Sequence, residues 1–310
     1  MAQHSIQILL ACYNGQAYIE EQIRSILAQS ETDWQLLIRD DGSFDGTNAK
    51  LRQWAEKDAR ICLVQGGASG GAKQNFAKLM EQATAPYVMF CDQDDVWHAD
   101  KIARTWAKMK QMEQQFGTQT PLLVHSDLRV VDQAGKEMAP SMAAYQKLDL
   151  TRTGFCQLLC QNVVTGCTMM ANRALIRCVL PLPEQAIMHD WYLALTAACF
   201  GKIGLEKEQT MDYRQHGNNQ VGSKNAGSAR YVAKRATQGQ KSKQVLLETY
   251  AQAEAFVKQF GDKMPEREKQ AARAFAAMPQ KSKLARWYTL CKYGLFKGGL
   301  VRKIGQILYC

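Results

Sequence analysis

The sequence predicts an α/β fold, with a mostly parallel sheet covered by helices on both faces, followed by a basic helical region at the C-terminal end. Short apolar runs alternate with segments of helical spacing from Ile6 to Cys91, a pattern typical of strand–helix repeats. Charge is divided unevenly along the chain. Residues 223–310 contain 18 Lys or Arg and 5 Asp or Glu, whereas residues 1–222 contain 21 and 24. The positive excess therefore lies in the C-terminal region and indicates an anionic partner there.

Each predicted element follows from a local pattern. Strands are predicted where apolar residues run together, and helices where apolar residues recur every three or four positions. Turn-forming residues separate the second strand from its helix, which Asp45 or Thr47 could cap. The predicted strands are 6–11, 34–39, 61–64 and 86–91, and the predicted helices are 17–30, 48–59 and one through Phe76, Leu79 and Met80.

Polar loops follow three of these strands, at residues 13–14, 40–41 and 92–95. In parallel sheets ligands bind at the carboxyl ends of the strands, so these loops should converge on one crevice. Clustered carboxylates repel one another unless a cation lies among them. A single Asp-rich loop is usually a solvated turn. Three polar strand ends at one sheet edge instead favour a metal-assisted site for a phosphate-bearing ligand.

Six ordered segments resemble landmarks of glycosyltransferase family 2, whose members are inverting enzymes with the GT-A fold. The resemblance covers about residues 5–222, and several ordered motifs are more specific than any single one. "YRQHGNNQVG" is similar to a segment of bacterial rhamnosyltransferases of that family. The segments are "ACYNG", "RDDGSFDGT", "FCDQDD", "NVVTGCTMMANR", "MHDWYLAL" and "YRQHGNNQVG".

The resemblance implies a divalent cation, Mg²⁺ or Mn²⁺, that neutralises a leaving diphosphate. Asp92 and Asp94 match the D-x-D pair of metal ligands, and Asp92 also matches a donor-binding position. His216 matches a position that reaches the metal or the diphosphate from a flexible loop. Its alternative is an ordinary surface histidine. The role of Asp95 is open, between support of the ligands and capping of the next helix.

Asp190 matches the position of the catalytic base, which takes the proton of the acceptor hydroxyl. The same position would also suit a helix N-cap, and the two roles are compatible. His189 stands where the family commonly has glutamate. Acceptor recognition is expected between about Ser126 and Asn172, where only Thr165 and Gly166 match a motif.

For the donor, the resemblance implies a nucleoside-diphosphate sugar linked to thymidine or uridine diphosphate. An aspartate accepts a hydrogen bond from the N3–H that uracil and thymine share, so either base fits. The expected sugar is L-rhamnose, on resemblance alone. Nucleoside-binding positions are Tyr13, Asn14, Asp40 and Asp41, and the positions nearest the base and the diphosphate are Lys73 and Asn75.

The predicted organisation is a catalytic domain at residues 1–222, a linker near "GSKNAGSAR" and a helical C-terminal region at residues 223–310. Residues 281–310 contain seven basic residues and no acidic one, interleaved with aromatic and aliphatic residues. This composition suits a helix on an anionic membrane surface. Its alternative is a helical appendage that packs on the catalytic domain, and a nucleic-acid partner is not expected.

The sequence also excludes several classes of protein. The glycine-rich "GGASGGAKQN" is not a P-loop, and no G-x-G-x-x-G follows the first strand, which disfavours a nicotinamide enzyme. No stretch is long and apolar enough for a spanning helix, and the first residues resemble a strand more than a signal peptide. Scattered cysteines indicate reduced core thiols. We therefore expect a cytoplasmic enzyme, peripheral on the cell membrane.

The predicted function is metal-dependent inverting transfer of a sugar onto a cell-surface polysaccharide or its lipid-linked precursor. The lack of a Q-x-x-R-W motif favours single addition over processive synthesis. Two alternatives stay open at this point. A nucleotidyltransferase would also use paired aspartates and a metal, but would release pyrophosphate. A non-catalytic binder would use the basic tail on a membrane or a nucleic acid.

Overall fold

The computed structural model describes residues 4–217 and 239–310. The predicted linker at residues 222–230 and the predicted domain boundary after residue 222 lie outside the described residues. The described chain is an α/β fold with one large and one small sheet. The strands are β1 (Ile6–Cys12), β2 (Trp34–Asp40), β3 (Ile61–Leu63), β4 (Tyr87–Cys91), β5 (Val96–Trp97), β6 (Leu122–Ser126), β7 (Arg129–Val131), β8 (Glu137–Ala139), β9 (Met170–Asn172), β10 (Lys202–Glu206) and β11 (Met211–Arg214).

The large sheet has seven strands in the order β10-β6-β9-β4-β1-β2-β3. All neighbouring pairs are parallel except those of β9, which runs antiparallel to both β4 and β6. The prediction of a mostly parallel sheet is therefore confirmed. The inserted β9 belongs to the "NVVTGCTMMANR" segment, whose short apolar run carries no period that distinguishes a strand from a loop.

Helices cover both faces of this sheet. The central strand β1 is buried on each side, since Leu9 packs into one hydrophobic cluster while Ile8 and Leu10 pack into another. A strand buried on both faces is expected to be an almost unbroken apolar run, as "IQILLAC" is. The helices are α1 (Ile19–Leu27), α2 (Thr47–Lys57), α3 (Ala72–Gln82), α4 (Lys101–Phe116), α5 (Met142–Gln146), α6 (Phe155–Cys160), α7 (Arg173–Val179), α8 (His189–Phe200), α9 (Gly239–Phe260), α10 (Glu266–Ala276), α11 (Lys283–Tyr293) and α12 (Leu300–Tyr309).

The small sheet has the order β5-β11-β7-β8. Strand β5 directly follows the acidic loop at residues 92–95, and its antiparallel partner β11 ends two residues before His216. The sheet therefore brings two segments together that are more than a hundred residues apart in the chain. The sequence did not predict it, because strands of two to four residues show no reliable alternation.

The C-terminal helices pack on the α/β part of the chain. Phe256, Phe275 and Leu290 are buried in the same hydrophobic cluster as Phe76 of α3 and Tyr192 of α8. Aromatic contacts reinforce this packing, with ring centroids 5.4 Å apart between Tyr192 and Phe256. Among the described residues, no helix combines the length and the apolar character that a bilayer crossing requires.

All ten cysteines are free thiols. Cys291 on α11 is exposed, whereas the other nine are buried or half-buried. Burial raises the pKa of the thiols at Cys12, Cys91 and Cys167 well above the ordinary value. The expectation of core thiols thus holds for most of the cysteines.

Candidate active site

Three neighbouring strand ends form the candidate site. In the parallel sheet β4 lies beside β1, and β1 beside β2, with Leu10 opposite Cys91 and Cys12 opposite Asp40. The loops that leave these strands therefore meet at one edge, as the sequence predicted. This edge collects the acidic, aromatic and amide side chains from residues 13–14, 40–41 and 92–95.

The loop after β1 is fastened to the loop after β2. Asn14 adopts a positive φ of 50°, its backbone N–H donates to Ser43 Oγ at 2.8 Å, and its Oδ1 accepts from the Phe44 N–H at 3.1 Å. Ser43 in turn donates through its N–H to the Asp40 carboxylate at 3.2 Å. Asn14 and Asp40 therefore stabilise the two loops, whether or not either residue also contacts a ligand.

Tyr13 is the exposed aromatic residue of this edge. Its side chain is 53% exposed, and its ring meets Phe44 edge-on with centroids 6.3 Å apart. The Gln93 side-chain amide holds the Tyr13 backbone from both sides: Oε1 accepts from the N–H at 2.8 Å and Nε2 donates to the carbonyl at 2.9 Å. A Cβ on Gly15 would lie 2.4 Å from Gln93 Oε1, so a larger residue there would displace the Gln93 side chain from the Tyr13 backbone.

Asp41 is buried and surrounded by donors. It accepts hydrogen bonds from the Ser69 backbone N–H and hydroxyl, from the Gly71 N–H at 2.8 Å and from Arg39 Nη1 at 3.2 Å. Burial alone would raise the pKa of Asp41, but the hydrogen bonds from Ser69, Gly71 and Arg39 outweigh it, so the pKa is lowered. Asp41 is thus an ionised carboxylate that holds the glycine-rich loop in place.

Lys73 and Asn75 contact the protein itself. Lys73 Nζ donates to the carbonyls of Glu184 at 2.6 Å and Ala186 at 2.9 Å, in the loop that leads into α8. The buried Asn75 amide donates to the Arg39 carbonyl at 3.0 Å and accepts from Arg39 Nη1 at 3.0 Å. The phosphate contact expected of Lys73 would require its two carbonyl bonds to open, and Asn75 fixes Arg39 instead of facing a ligand.

The acidic loop contains the D-x-D pair and a further aspartate. Burial and the charges of Asp94 and Asp190 raise the pKa of Asp92 to about 7, against a weaker opposing hydrogen bond from Cys167. Asp95 is 1% exposed, and its Oδ1 accepts from the Arg214 N–H at 3.1 Å. Burial and the charges of Asp94 and Asp92 raise the pKa of Asp95 well above its ordinary value.

These acids fit a divalent cation. Ligand atoms of Asp92, Asp95 and Cys167 lie within 4.8 Å of one another. Asp95 Oδ2 is buried and has no hydrogen-bond partner in the part of the chain that the structure describes. A cation would relieve both the mutual repulsion of the carboxylates and this unpaired oxygen. Hard cations such as Mg²⁺ prefer the carboxylate oxygens to the thiol sulfur of Cys167.

His216 lies against this acidic loop. Its Nε2 is 2.7 Å from Asp94 Oδ2, and its ring stacks on Tyr18 with centroids 4.8 Å apart. The structure therefore brings His216 to the D-x-D pair, as the resemblance implied, and not to an isolated surface position. The part of the predicted flexible loop beyond Gly217, including Gly222, lies outside the described residues.

Arg214 also belongs to the site, although the sequence did not single it out. Its buried guanidinium donates from Nε to the Asp94 carbonyl at 3.1 Å and from Nη2 to Glu21 Oε2 at 2.7 Å. It also lies 5.5 Å from the Tyr18 ring centroid. Its sequence signal was its place in "YRQHGNNQVG", two positions before His216.

Asp190 is the second residue of α8, and Met188 occupies the N-cap position. Asp190 is therefore not the N-cap of α8, and its carboxylate lies in the first turn of the helix instead. Its Oδ2 accepts from the Gly166 N–H at 3.1 Å. Burial raises the pKa of Asp190 to about 6, although hydrogen bonds from Trp191, Gly166 and Asn162 act in the opposite direction.

The motif residues Thr165 and Gly166 open a short 3₁₀ turn, Gly166–Thr168. A Cβ on Gly166 would lie 3.1 Å from His189 Nε2, so the glycine admits this ring. His189 is buried against Phe76, with ring centroids 4.0 Å apart, and burial lowers its pKa to about 3. His189 is therefore a neutral ring packed among aromatics, a role unlike that of an ionised glutamate.

Comparison with known proteins agrees with this geometry. The family model described as "Glycosyl transferase family 2" matches residues 7–175. TuaG of Bacillus subtilis, named as a teichuronic acid biosynthesis glycosyltransferase, is 37% identical over 99 residues, which are 32% of this chain and 39% of TuaG. The dTDP-rhamnosyl transferase RfbG of Shigella flexneri is 27% identical over 230 residues, 72% of this chain and 76% of RfbG.

A third relative is the Escherichia coli enzyme WfgD, named as a UDP-Glc:α-D-GlcNAc-diphosphoundecaprenol β-1,3-glucosyltransferase. It is 28% identical over 170 residues, which cover 55% of this chain and 63% of WfgD. The chain therefore spans less than two thirds of TuaG and of WfgD.

Two solved structures share the fold. Residues 1–349 of Staphylococcus aureus TarS in complex with UDP-GlcNAc align with a TM-score of 0.56 at 13% identity, over 98% of this chain and 90% of that one. The mannosyltransferase PcManGT of Pyrobaculum calidifontis, in complex with GDP-Man and Mn²⁺, aligns with a TM-score of 0.57 at 17% identity, over 99% and 79%. With the family match over more than half of its length, the chain belongs to glycosyl transferase family 2 and is a glycosyltransferase with the GT-A fold.

Proposed function

We propose that the protein transfers a sugar, with inversion, from a nucleoside diphosphate to an acceptor hydroxyl at the edge formed by β4, β1 and β2. The observation that carries the proposal is Asp190, a half-buried carboxylate whose Oδ2 accepts from the Gly166 N–H at 3.1 Å. The next residue, Cys167, has its sulfur within 4.8 Å of an Asp92 carboxylate oxygen. A base beside a diphosphate site is the arrangement that this reaction needs.

In the proposed reaction the acceptor oxygen attacks the anomeric carbon from the face opposite the diphosphate. The new carbon–oxygen bond forms as the bond to the diphosphate breaks, and Asp190 takes the hydroxyl proton. With a pKa of about 6 the carboxylate is mostly ionised at neutral pH and is basic enough to accept that proton. The Gly166 N–H fixes the direction of its Oδ2.

Asp92, Asp94 and His216 would hold the divalent cation, Mg²⁺ or Mn²⁺. When bound, the cation neutralises the charge that develops on the leaving diphosphate. Arg214 holds the backbone of Asp94, and Asp95 Oδ1 holds the backbone of Arg214, so both keep the ligands in place. The unpaired Oδ2 of Asp95 would offer the cation a further oxygen.

For the nucleoside we propose that the exposed Tyr13 ring stacks on the base and that Asp40 accepts its N3–H. Asp40 retains acceptor capacity beyond its bonds to Ser43, whereas the four donors around Asp41 leave that residue a structural role. Thymidine and uridine diphosphate share this N3–H.

We further propose L-rhamnose from dTDP-rhamnose as the donor sugar, supported by the similarity to RfbG over most of both chains. Inversion of a β-linked donor would give an α-rhamnoside. A polysaccharide or a lipid-linked saccharide is the proposed acceptor, supported by the names of TuaG and WfgD. The enzyme would then work at the cytoplasmic face of the membrane, with residues 281–310 nearest the lipid.

The test is turnover with a panel of nucleotide-sugars, with and without Mg²⁺ or Mn²⁺, together with calorimetric binding of the free nucleoside diphosphates. We expect metal-dependent release of a free nucleoside diphosphate, greatest with dTDP-rhamnose. Asp190→Asn should lower turnover by a factor on the order of 10³ while donor affinity stays nearly the same. Release of pyrophosphate, or loss of donor binding in Asp190→Asn, would contradict the proposal.

A further inference from the structure

The last two helices, α11 and α12, present exposed apolar side chains beside lysines. Seven large apolar residues of these helices are between 40% and 75% exposed. We call them, together with three exposed lysines, the basic apolar face. Its members are Leu284, Trp287, Tyr288, Leu300, Val301, Ile304 and Leu308, with Lys283, Lys292 and Lys303.

The two helices form one continuous surface. The exposed apolar residues of α12 recur with helical spacing at 300, 301, 304 and 308, and so lie on one side of it. Trp287 Nε1 on α11 donates to the Ile307 carbonyl on α12 at 3.4 Å, and Gln306 Nε2 donates to the Leu295 carbonyl at 2.9 Å. These bonds hold α12 beside α11.

Each exposed lysine lies over an aromatic ring. The distances from Nζ to the ring centroid are 5.9 Å for Lys283 over Trp287, 6.0 Å for Lys292 over Tyr288 and 6.0 Å for Lys303 over Phe296. No acidic residue occurs in residues 281–310 to balance this charge. The face is therefore complementary to an anionic surface that also accepts apolar groups.

We propose that the basic apolar face binds an anionic lipid surface. Its leucine, isoleucine and tryptophan side chains enter the boundary between headgroups and acyl chains, and its lysines pair with lipid phosphates. A surface with this much exposed apolar area is costly in water unless a partner covers it. A lipid surface satisfies both the apolar and the cationic groups.

The face is also connected to the candidate active site. Arg152 Nη2 donates to the Phe296 carbonyl at 2.7 Å, and the Gly298 N–H donates to Gln161 Oε1 at 2.8 Å. The next residue, Asn162, is a hydrogen-bond donor that lowers the pKa of Asp190. On the proposed function, the segment that fastens this face to the sheet domain is therefore the same one that contacts Asp190.

The test is co-sedimentation of the full chain with vesicles of phosphatidylcholine containing phosphatidylglycerol, and with vesicles of phosphatidylcholine alone. We expect the protein to sediment with the anionic vesicles, and less so as salt is raised. The variant K283Q/K292Q/K303Q should lower the partition coefficient by a factor on the order of 100, because each lysine near an anionic surface contributes about 1 kcal/mol to binding. The variant L300S/I304S/L308S should also lower the partition coefficient, although it leaves the charge of the protein unchanged, because it removes apolar side chains from the face.

The matched control is K57Q/K78Q/K136Q, which removes the same charge from exposed lysines of the catalytic part. It should sediment nearly as well as the unmodified chain. Equal sedimentation of all these variants would overturn the proposal, as would an unmodified chain that stays in solution. Tighter binding to a DNA duplex at the same ionic strength, or a dimer that L300S/I304S/L308S dissociates in place of vesicle binding, would also overturn it.

Because the substituted side chains are exposed, we expect every variant to fold, and a melting curve of each variant checks this. Calorimetric binding of thymidine diphosphate is measured on the same samples. Vesicle binding without nucleotide binding would support the lipid surface and contradict the proposed function. Nucleotide binding without vesicle binding would do the reverse.

Discussion

The Asp190 carboxylate is half-buried and has three nearby donors. Burial raises its pKa to about 6, and the base must be ionised to accept a proton. We therefore predict that kcat falls about tenfold per pH unit below pH 6 and is level above it. Asn162→Ala removes a hydrogen-bond donor that lowers the pKa of Asp190, so the pH at which kcat begins to fall should move to a higher value. A pH–rate profile with saturating substrates checks both statements.

The raised pKa of Asp190 also predicts how the stability of the protein changes with pH. Because the folded pKa of Asp190 is raised, the stability that the protonated group provides at low pH is lost as pH rises through about 6. Asp190→Asn should therefore be at least as stable as the unmodified chain at neutral pH. An inactive and clearly destabilised Asn variant would mean that the lost activity reports misfolding and not a missing base.

Gln93, the middle residue of the D-x-D motif, is predicted to act through Tyr13. Gln93→Met keeps the side-chain size but removes two hydrogen bonds to the Tyr13 backbone. The KM for the donor should rise about thirtyfold, since each of the two bonds contributes roughly 1 kcal/mol, while kcat stays nearly constant. Steady-state kinetics with varied donor measures this.

A double-mutant cycle with Tyr13→Ala is the control for this prediction. If Gln93 acts by holding the Tyr13 ring, Gln93→Met should have little further effect on donor KM once the ring is absent. Additive losses in the double variant would show that Gln93 acts elsewhere, and a parallel fall of kcat and melting temperature would indicate a general structural role.

The sequence could predict the function of a site residue when the residue belongs to a local motif, but not when its function depends on a partner far away in the chain. Asp92, Asp94 and Asp190 belong to recognisable motifs, and the structure brings them to one edge. Gln93, Arg214 and the ammonium of Lys73 act through partners 80 to 120 residues away. No local pattern reports such contacts, so these three functions became visible only in the fold.

The junction between α8 and β10 depends on one glycine. A Cβ on Gly201 would lie 1.7 Å from the Pro121 carbonyl oxygen, a backbone atom that cannot rotate away. We predict that Gly201→Ala lowers the free energy of unfolding by about 1–3 kcal/mol, the range expected when packed backbone must shift. Urea unfolding monitored by circular dichroism measures the difference.

Gly305→Ala in α12 is the matched control, because a Cβ there meets open space. Alanine is favoured over glycine in a helix by up to about 1 kcal/mol. This variant should be as stable as the unmodified chain or slightly more so. A Gly201→Ala protein that unfolds at the same urea concentration as the control would contradict the predicted clash.

At the element scale, the apolar runs of the first 91 residues were predictable, including the three-residue β3, whereas most of the other short strands were not. Strands β1, β2 and β4 are apolar runs of five to seven residues, and the sequence identified all three. Strands β5, β7 and β9 have two or three residues each, too few to show a period. Their positions are set by pairing with distant strands.

At the scale of the molecule, the C-terminal helices and the sheet share one core. A fragment ending at residue 222 would lose Phe256 and Phe260, which contact Tyr192 and Phe200 of α8. We predict that this fragment aggregates or melts at a clearly lower temperature than the full chain, because it exposes part of the core. Thermal melting and binding of an apolar dye compare the two proteins.

Residues 1–280 serve as an intermediate case, since they keep α9 and α10 and lose the basic apolar face. Their melting temperature should lie between the other two. A fragment of residues 1–222 as stable as the full chain would instead support independent folding of the predicted catalytic domain. The sequence anticipated the basic helical tail from its charge, but the shared core depends on contacts between residues far apart in the chain.

The exposed thiol of Cys291 provides a labelling position on the natural sequence. It lies on α11, between Tyr288 and the Lys292 that covers it, while the buried thiols have raised pKa values and are poor nucleophiles. A maleimide fluorophore should therefore react first at Cys291. On the proposed lipid binding, its emission and its accessibility to membrane-embedded quenchers would report how deeply α11 enters a bilayer.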